Sequence, residues 1–255
     1  MKQTNEIKVF TGVGLDFETG GLDCTKCACT QIALQAIRLD SFEIVEQLSC
    51  YIAPYNKQDI GTPKRKVLRS KYEVENKPAE PMEIGRVALD YSGITMETLL
   101  EQGMDINQTA KDTIEFIKRN TLSKGAKYKP ILIGQNITFD IGFLTQLMNY
   151  AGLIKELEKV LSGKKDFYGN FQPDYIDTIH LARLAYAHDS SMVSYKLELI
   201  AEKLGIELDD AHNADADVTA TLNVVQVLSN RLRCSGGQGG VVIHKGEKSR
   251  VHFKI

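Results

Sequence analysis

A chain of 255 residues, 43% hydrophobic and 25% charged, is long enough to bury a sizeable core and too apolar for wholesale disorder. No apolar run approaches the roughly 20 residues that span a bilayer, and the start, MKQTNEIKVF, lacks a charged-then-apolar signal pattern, so no membrane partner and a cytoplasmic location are expected. The net charge of −2 excludes a globally basic protein, although cations cluster locally at Lys64, Arg65, Lys66, Arg69 and Lys71. The tail from Ser229 onward adds Arg231, Arg233, Lys245, Lys248, Arg250 and Lys254 against Glu247 alone. Such cations suit phosphate contacts.

In chain order, residues 8–18 read as a strand broken by Gly20 and Gly21. Two more strands follow at 32–39 and 44–52, joined by a short link that favours antiparallel pairing. Residues 55–90 hold Pro63, Pro78 and Pro81, many charges and little periodicity, and are expected to form an insertion or long loop outside the core. Regular structure resumes at 95–101 and in a helix at 106–119, where Ile106, Ala110, Thr113, Ile114 and Ile117 make a stripe. A short strand at 130–133 ends at Gly134, and a helix follows at 141–150. Tyr175 and Ile176 form a brief strand, with Asp177 as N-cap of a helix reaching Ala187. Further helices are expected at 196–204, closed by Gly205, and at 214–228, with Val218, Leu222 and Val225 inward. Strands followed by alternating strands and helices predict an α/β domain with a mixed central β-sheet flanked by α-helices. That domain spans 1–228, and 229–255 is a basic C-terminal tail or hairpin.

Three acidic clusters carry chemistry. Asp16 and Glu18 flank Phe17 at a strand end, and alternation puts both carboxylates on one face. Two such groups repel each other and favour a hard divalent cation. Asp140 stands where a strand gives way to a helix, as a first-turn acid or a ligand at a strand end. His212, Asp215 and Asp217 lie on a loop entering the last helix; Asp215 competes with Asp217, and helical spacing does not separate them. Cys24, Cys27 and Cys29 have zinc-like spacing but no nearby fourth ligand, so reduced thiols in a loop are expected.

Taken in order, Asp-x-Glu at Asp16 and Glu18, Asn-x-x-Phe-Asp ending at Asp140, and His-x-Ala-x-x-Asp from His212 to Asp217 resemble the three motifs of the DEDDh, DnaQ-like 3′–5′ exonucleases of RNase H-like fold. Asp16 to Asp23 is similar to the first motif of that family, Tyr91-Ser92-Gly93-Ile94-Thr95 to its His-Gly-Ile-Thr turn, and Asp177 to Arg183 to its Asp-Thr-x-x-x-Ala-Arg segment. The stretch from Lys196 to Ile206 resembles the helix before the third motif. The departures are Phe17, where a small or β-branched residue is usual, Gln135, where His is frequent, and Tyr91, read as turn packing.

The resemblance implies a metal-dependent enzyme that hydrolyses nucleic acid from a 3′ end to nucleoside 5′-monophosphates. Its cofactors would be two Mg²⁺ or Mn²⁺ ions, one held by Asp16, Glu18 and Asp217 and the other by Asp16 and Asp140, with Asp16 bridging. His212 would be the general base, and Phe17, Thr19, Leu22 and Asn136 would meet the terminal nucleotide. The partner is the 3′ end of a single strand, with DNA favoured over RNA; nothing in the sequence supports a polymerase partner. The competing readings are an RNA exonuclease and a non-catalytic nucleic-acid-binding or adaptor module on the same fold.

Overall fold

The computed structural model describes residues 8–58, 79–208 and 213–234. The basic run at 64–71, His212 and the tail from 235 onward lie outside these residues. Three antiparallel strands come first: β1 (Thr11–Thr19), β2 (Cys29–Arg38) and β3 (Ile44–Tyr51). Then come α1 (Arg86–Ser92), α2 (Met96–Gln102), α3 (Ile106–Arg119), a 3₁₀ turn at Ala126–Tyr128, β4 (Ile131–Gly134), α4 (Thr138–Tyr150) and α5 (Ile154–Val160). A hairpin of β5 (Gly163–Lys165) and β6 (Phe171–Pro173) precedes β7 (Tyr175–Asp177), α6 (Thr178–Ala185), α7 (Leu197–Leu204) and α8 (Ala214–Cys234).

The central sheet has the order β3-β2-β1-β4-β7, with β1, β4 and β7 parallel. This is the mixed sheet expected from the sequence, in the RNase H-like arrangement. Strand alternation sorts β1 into two faces. Val13, Leu15 and Phe17 join the large core under α3, α4 and α5, with Ile114, Ile117, Phe143 and Leu147. On the other face Ala33, Ile37 and Ile133 pack beneath Val218, Leu222 and Val225 of α8. The far side of α8 buries Ala220, Val224 and Leu228 against α6 and α7.

Local signals account for several helix ends. Asp105 caps α3 by accepting from the amides of Asn107 and Gln108, and Asp177 caps α6 through Ile179 N. Gly205 closes α7 in the left-handed conformation at φ 71°.

Four expectations change. Of the segment expected as an insertion or long loop at 55–90, residues 59–78 lie outside the described ones, and the described flanks contribute to the core: Met82 is 4% and Leu89 8% exposed, and the Tyr55 ring packs edge-on to Tyr150. Its flanks are pinned together, since Lys57 N donates to Glu80 O at 2.7 Å. The same segment runs into a helix, α1, whose sequence signal is Gly93, left-handed at φ 69° directly after it. The short elements α5, β5 and β6 are additions to the expected set, because seven- and three-residue pieces carry too little periodicity to read. Finally, α8 runs unbroken to Cys234, so the boundary expected between 228 and 229 falls inside a helix.

The approach of α8 to β1 depends on a missing side chain. A Cβ on Gly14 would stand 2.8 Å from Val218 Cγ1 and 3.1 Å from Leu222 Cδ1. Gly14→Ala is expected to lower stability by about 1–3 kcal/mol through overpacking, read as a reduced urea midpoint. An unchanged midpoint would mean that this contact has room to spare.

Candidate active site

The face of β1 that meets α8 carries Gly12, Gly14, Asp16 and Glu18 in alternation. The small residues come first and let α8 settle onto the sheet. The acids come last, at the carboxyl end of the strand, where ligands collect in open α/β sheets. Asn213 starts α8: its side-chain oxygen accepts from Asp215 N at 3.0 Å, and its carbonyl accepts from Asp217 N at 2.9 Å.

This register separates the two competing acids. Carboxylate oxygens of Asp16, Glu18 and Asp217 all lie within 4.8 Å of one another. Asp215 instead lines a polar cavity with Gln35, Gln47 and Ser49.

Asp140 arrives from the opposite face of the sheet. The chain leaves β4 at Gly134 and turns at Asn136, whose φ of 53° suits an asparagine. It then enters α4, which places Asp140 in the first turn. Asp140 is 3% exposed, and its Oδ1 accepts from Phe17 N at 3.0 Å. Asp177 steadies the same turn by accepting from Asn136 N at 3.2 Å while it caps α6.

The electrostatics follow from this crowding. Burial, then Asp140, Glu18 and Asp217 in that order, push the Asp16 carboxyl well above the usual carboxylate range. Burial and the charge of Asp217 raise Glu18 to about 7. Burial raises Asp140 to about 8 against the opposing pull of the Phe17 amide. Hard oxygen donors that repel one another in a half-buried cleft fit a divalent metal ion, and the donor set here is all carboxylate.

The remaining expected residues occupy different places. Phe17 is a core residue: it is 4% exposed, 6.5 Å from the Phe143 ring centre, and on the face opposite the carboxylates. Its backbone amide, not its ring, meets the site. The Thr19 hydroxyl donates to Gly21 O at 2.8 Å and shapes the turn after β1. Leu22 stands 88% exposed on the loop that follows, and Asn136 is exposed beyond β4.

That loop is held from below by Gln146 of α4. Gln146 Nε2 donates to the carbonyls of Cys24 and Cys27, and Oε1 accepts from Tyr55 Oη at 2.6 Å. Cys27 and Cys29 pack in the core, burial raises the Cys29 thiol to about 12, and among the described residues the cysteines do not gather into a group that could hold a metal ion.

Tyr91 belongs to the site's surroundings, although the sequence alone offers it only as turn packing. It stands on α1, 64% exposed, and partial burial together with the negative charges of Glu198, Asp217 and Glu18 pushes its hydroxyl upward. Val87, one helical turn earlier, is 84% exposed.

A model of the RNase T exonuclease family matches residues 61–225, more than half of the chain. The chain belongs to this exonuclease family. The matched region includes Asp140, His212 and Asp217; Asp16 and Glu18 precede it and join the others through β1. A 3′-5′ exonuclease DinG from Staphylococcus haemolyticus is 27% identical over 125 residues, covering 49% of this chain and 11% of that protein. Escherichia coli Exonuclease I in complex with a dT13 oligonucleotide superposes with a TM-score of 0.60 at 18% identity, over 89% of this chain and 42% of that one. A product-bound exonuclease I gives 0.58 at 18% identity, over 89% and 45%. The chain thus spans about a tenth of the curated relative and less than half of these structures, whose likeness shows a common fold.

Carboxyls with raised folded-state pKa values bind protons more tightly folded than unfolded. Their contribution to stability is therefore present below about pH 4 and is lost as pH rises through about 7 to 8. In the presence of a chelator, Asp16→Asn relieves the repulsion. Its melting temperature is expected to exceed that of the unmodified protein at pH 8 by a clearly larger margin than at pH 5. An equal margin at both values would argue against the crowding.

Proposed function

We propose that this chain is a metal-dependent 3′–5′ exonuclease acting on single-stranded nucleic acid, DNA by preference. The convergence of Asp16, Glu18 and Asp217 within 4.8 Å carries this reading, together with membership of an exonuclease family. No helix among the described residues is long and apolar enough to cross a membrane, in keeping with a substrate met in solution.

Divalent ions, Mg²⁺ or Mn²⁺, would supply Lewis-acid stabilisation of the charge that builds on the phosphate and on the leaving 3′ oxygen. Asp16 feels the charges of Asp140, Glu18 and Asp217 alike, which would suit it to contact both ions. Glu18 and Asp217, which gather with Asp16, would hold one ion with it, and Asp140, whose Oδ1 accepts from the Phe17 amide, would help to hold a second. His212 immediately precedes the Asn213 that starts α8. Its imidazole would take the proton from the attacking water. Leu22 on the loop after β1 and Val87 and Tyr91 on α1 are exposed side chains suited to the terminal base and sugar, with Thr19 and Asn136 shaping the turns after β1 and β4.

Three variants test the reading on a 5′-labelled oligonucleotide with Mn²⁺. Asp16→Asn and Asp217→Asn are expected to cut the rate of 3′ shortening by about 10³-fold or more, equivalent to several kcal/mol, with the fold kept by circular dichroism. Wild-type rates in both would sink the proposal. Tyr91→Phe is expected to raise KM by about threefold to tenfold with little change in kcat, as removal of one hydrogen bond at the rim implies. An effect confined to kcat would remove Tyr91 from substrate binding.

A further inference from the structure

A second surface lies at the other end of the sheet. From Phe116 to Ile131 the chain carries Lys118, Arg119, Lys124, Lys127 and Lys129 and no Asp or Glu. This stretch covers the end of α3, the turn at Ala126–Tyr128 and the start of β4. Lys118, Lys124, Lys129 and, from α5, Lys159 line a cavity of about 570 Å³ together with Thr121 and Ser123. Arg119 is occupied by Glu46, and Lys118 and Lys159 pair with Glu115 at 2.7 Å and Glu156 at 2.6 Å. Lys124 makes no ion pair with any described residue, and Lys127 lies over the Tyr128 ring at 5.7 Å.

Aromatic rings accompany these cations. Tyr128 packs on Phe10 with ring centres 5.0 Å apart, and Phe10 is 42% exposed. The β5–β6 hairpin grows from the same corner: Ser162 N donates to Pro130 O at 2.9 Å, and Lys164 and Lys165 lie on its first strand. At its tip Phe167 is 96% and Tyr168 85% exposed, set edge to face at 5.4 Å. Asp166, the acid at the tip, is turned into the hairpin by accepting from the amides of Tyr168 and Asn170. Rings so exposed stabilise no core. Lysines beside stackable rings match a flexible, sequence-tolerant single strand.

We propose that this face, centred on Lys124, Lys127, Phe167 and Tyr168, is a second contact for single-stranded DNA, separate from the carboxylate site. Thr11, at its end of β1, and Glu18 are separated by roughly 23 Å of strand. The face therefore holds nucleotides well upstream of the end being processed. Three steps between four nucleotides, at about 3.4 Å stacked and roughly twice that fully extended, fall short of this distance, so a tetranucleotide cannot occupy both places. The inference rests on the exonuclease reading only for its choice of ligand.

The test is fluorescence anisotropy on the full chain, in chelator, with 5′-labelled dT4 and dT30. The unmodified protein is expected to bind dT30 at least about tenfold tighter than dT4. Lys124→Ala/Lys127→Ala and Phe167→Ala/Tyr168→Ala, both at exposed positions and checked by melting temperature, should each weaken dT30 binding by about fivefold or more. Binding and Mn²⁺-dependent shortening of dT4 should stay unchanged. In the lysine variant the slope of log affinity against log salt should become shallower by about 1.4, the change expected when two lysines no longer neutralise phosphates on a single strand. Wild-type affinity for dT30 in either variant would overturn the proposal and leave the exposed rings to a protein contact. Failure of the unmodified protein to shorten dT30 would sink the exonuclease reading alone and leave the binding comparison intact.

Discussion

Mutual repulsion among carboxyl groups is the constraint around which this structure is arranged. Asp16, Glu18 and Asp217 gather their oxygens within 4.8 Å, with Asp140 electrostatically beside them. Left to themselves the side chains would separate or take up protons. Packing holds them together: the bare face of β1 at Gly14 seats α8, and the core under Phe143 and Leu147 seats α4. Each helix presents its acid from its first turn, where the backbone dipole favours a negative charge. The apolar layers on the two faces of the sheet therefore maintain a polar arrangement that opposes itself, and a cation reconciles the two.

The same logic explains the buried amide of Gln146. An apolar residue at that position would leave the carbonyls of Cys24 and Cys27 without a partner beneath the loop that follows β1. With Tyr55 completing the set, a segment full of prolines and charges is tied to the loop that carries Leu22. The path from β1 to the exposed rim thus runs through hydrogen bonds and not only through apolar contact.

Much of this is legible in the sequence where local rules decide. Alternation alone puts Asp16 and Glu18 on one face, and Asp177 as a cap follows from its place before a helix. The choice between Asp215 and Asp217 is not local. Both adjoin Val218 on the helix surface, and which one overlooks β1 is set by how α8 seats over Gly14, a contact between Gly14 and Val218 from opposite ends of the chain. The ring of Phe17 misleads for a related reason: its neighbours in sequence line the site, yet the pleat turns it into the core. The helix α1 is hidden by the prolines upstream of it, and Tyr91 with it.

Asp140 is aimed by a main-chain donor. The Phe17 N–H that meets its Oδ1 belongs to the peptide backbone, so every residue except proline at position 17 supplies the same donor. The side chain there can drift among apolar shapes as the core around Phe143 drifts with it, while the anchor of the carboxylate is inherited unchanged. A lineage carrying this arrangement can therefore remodel its interior over evolutionary time without retuning the chemistry a few ångströms away.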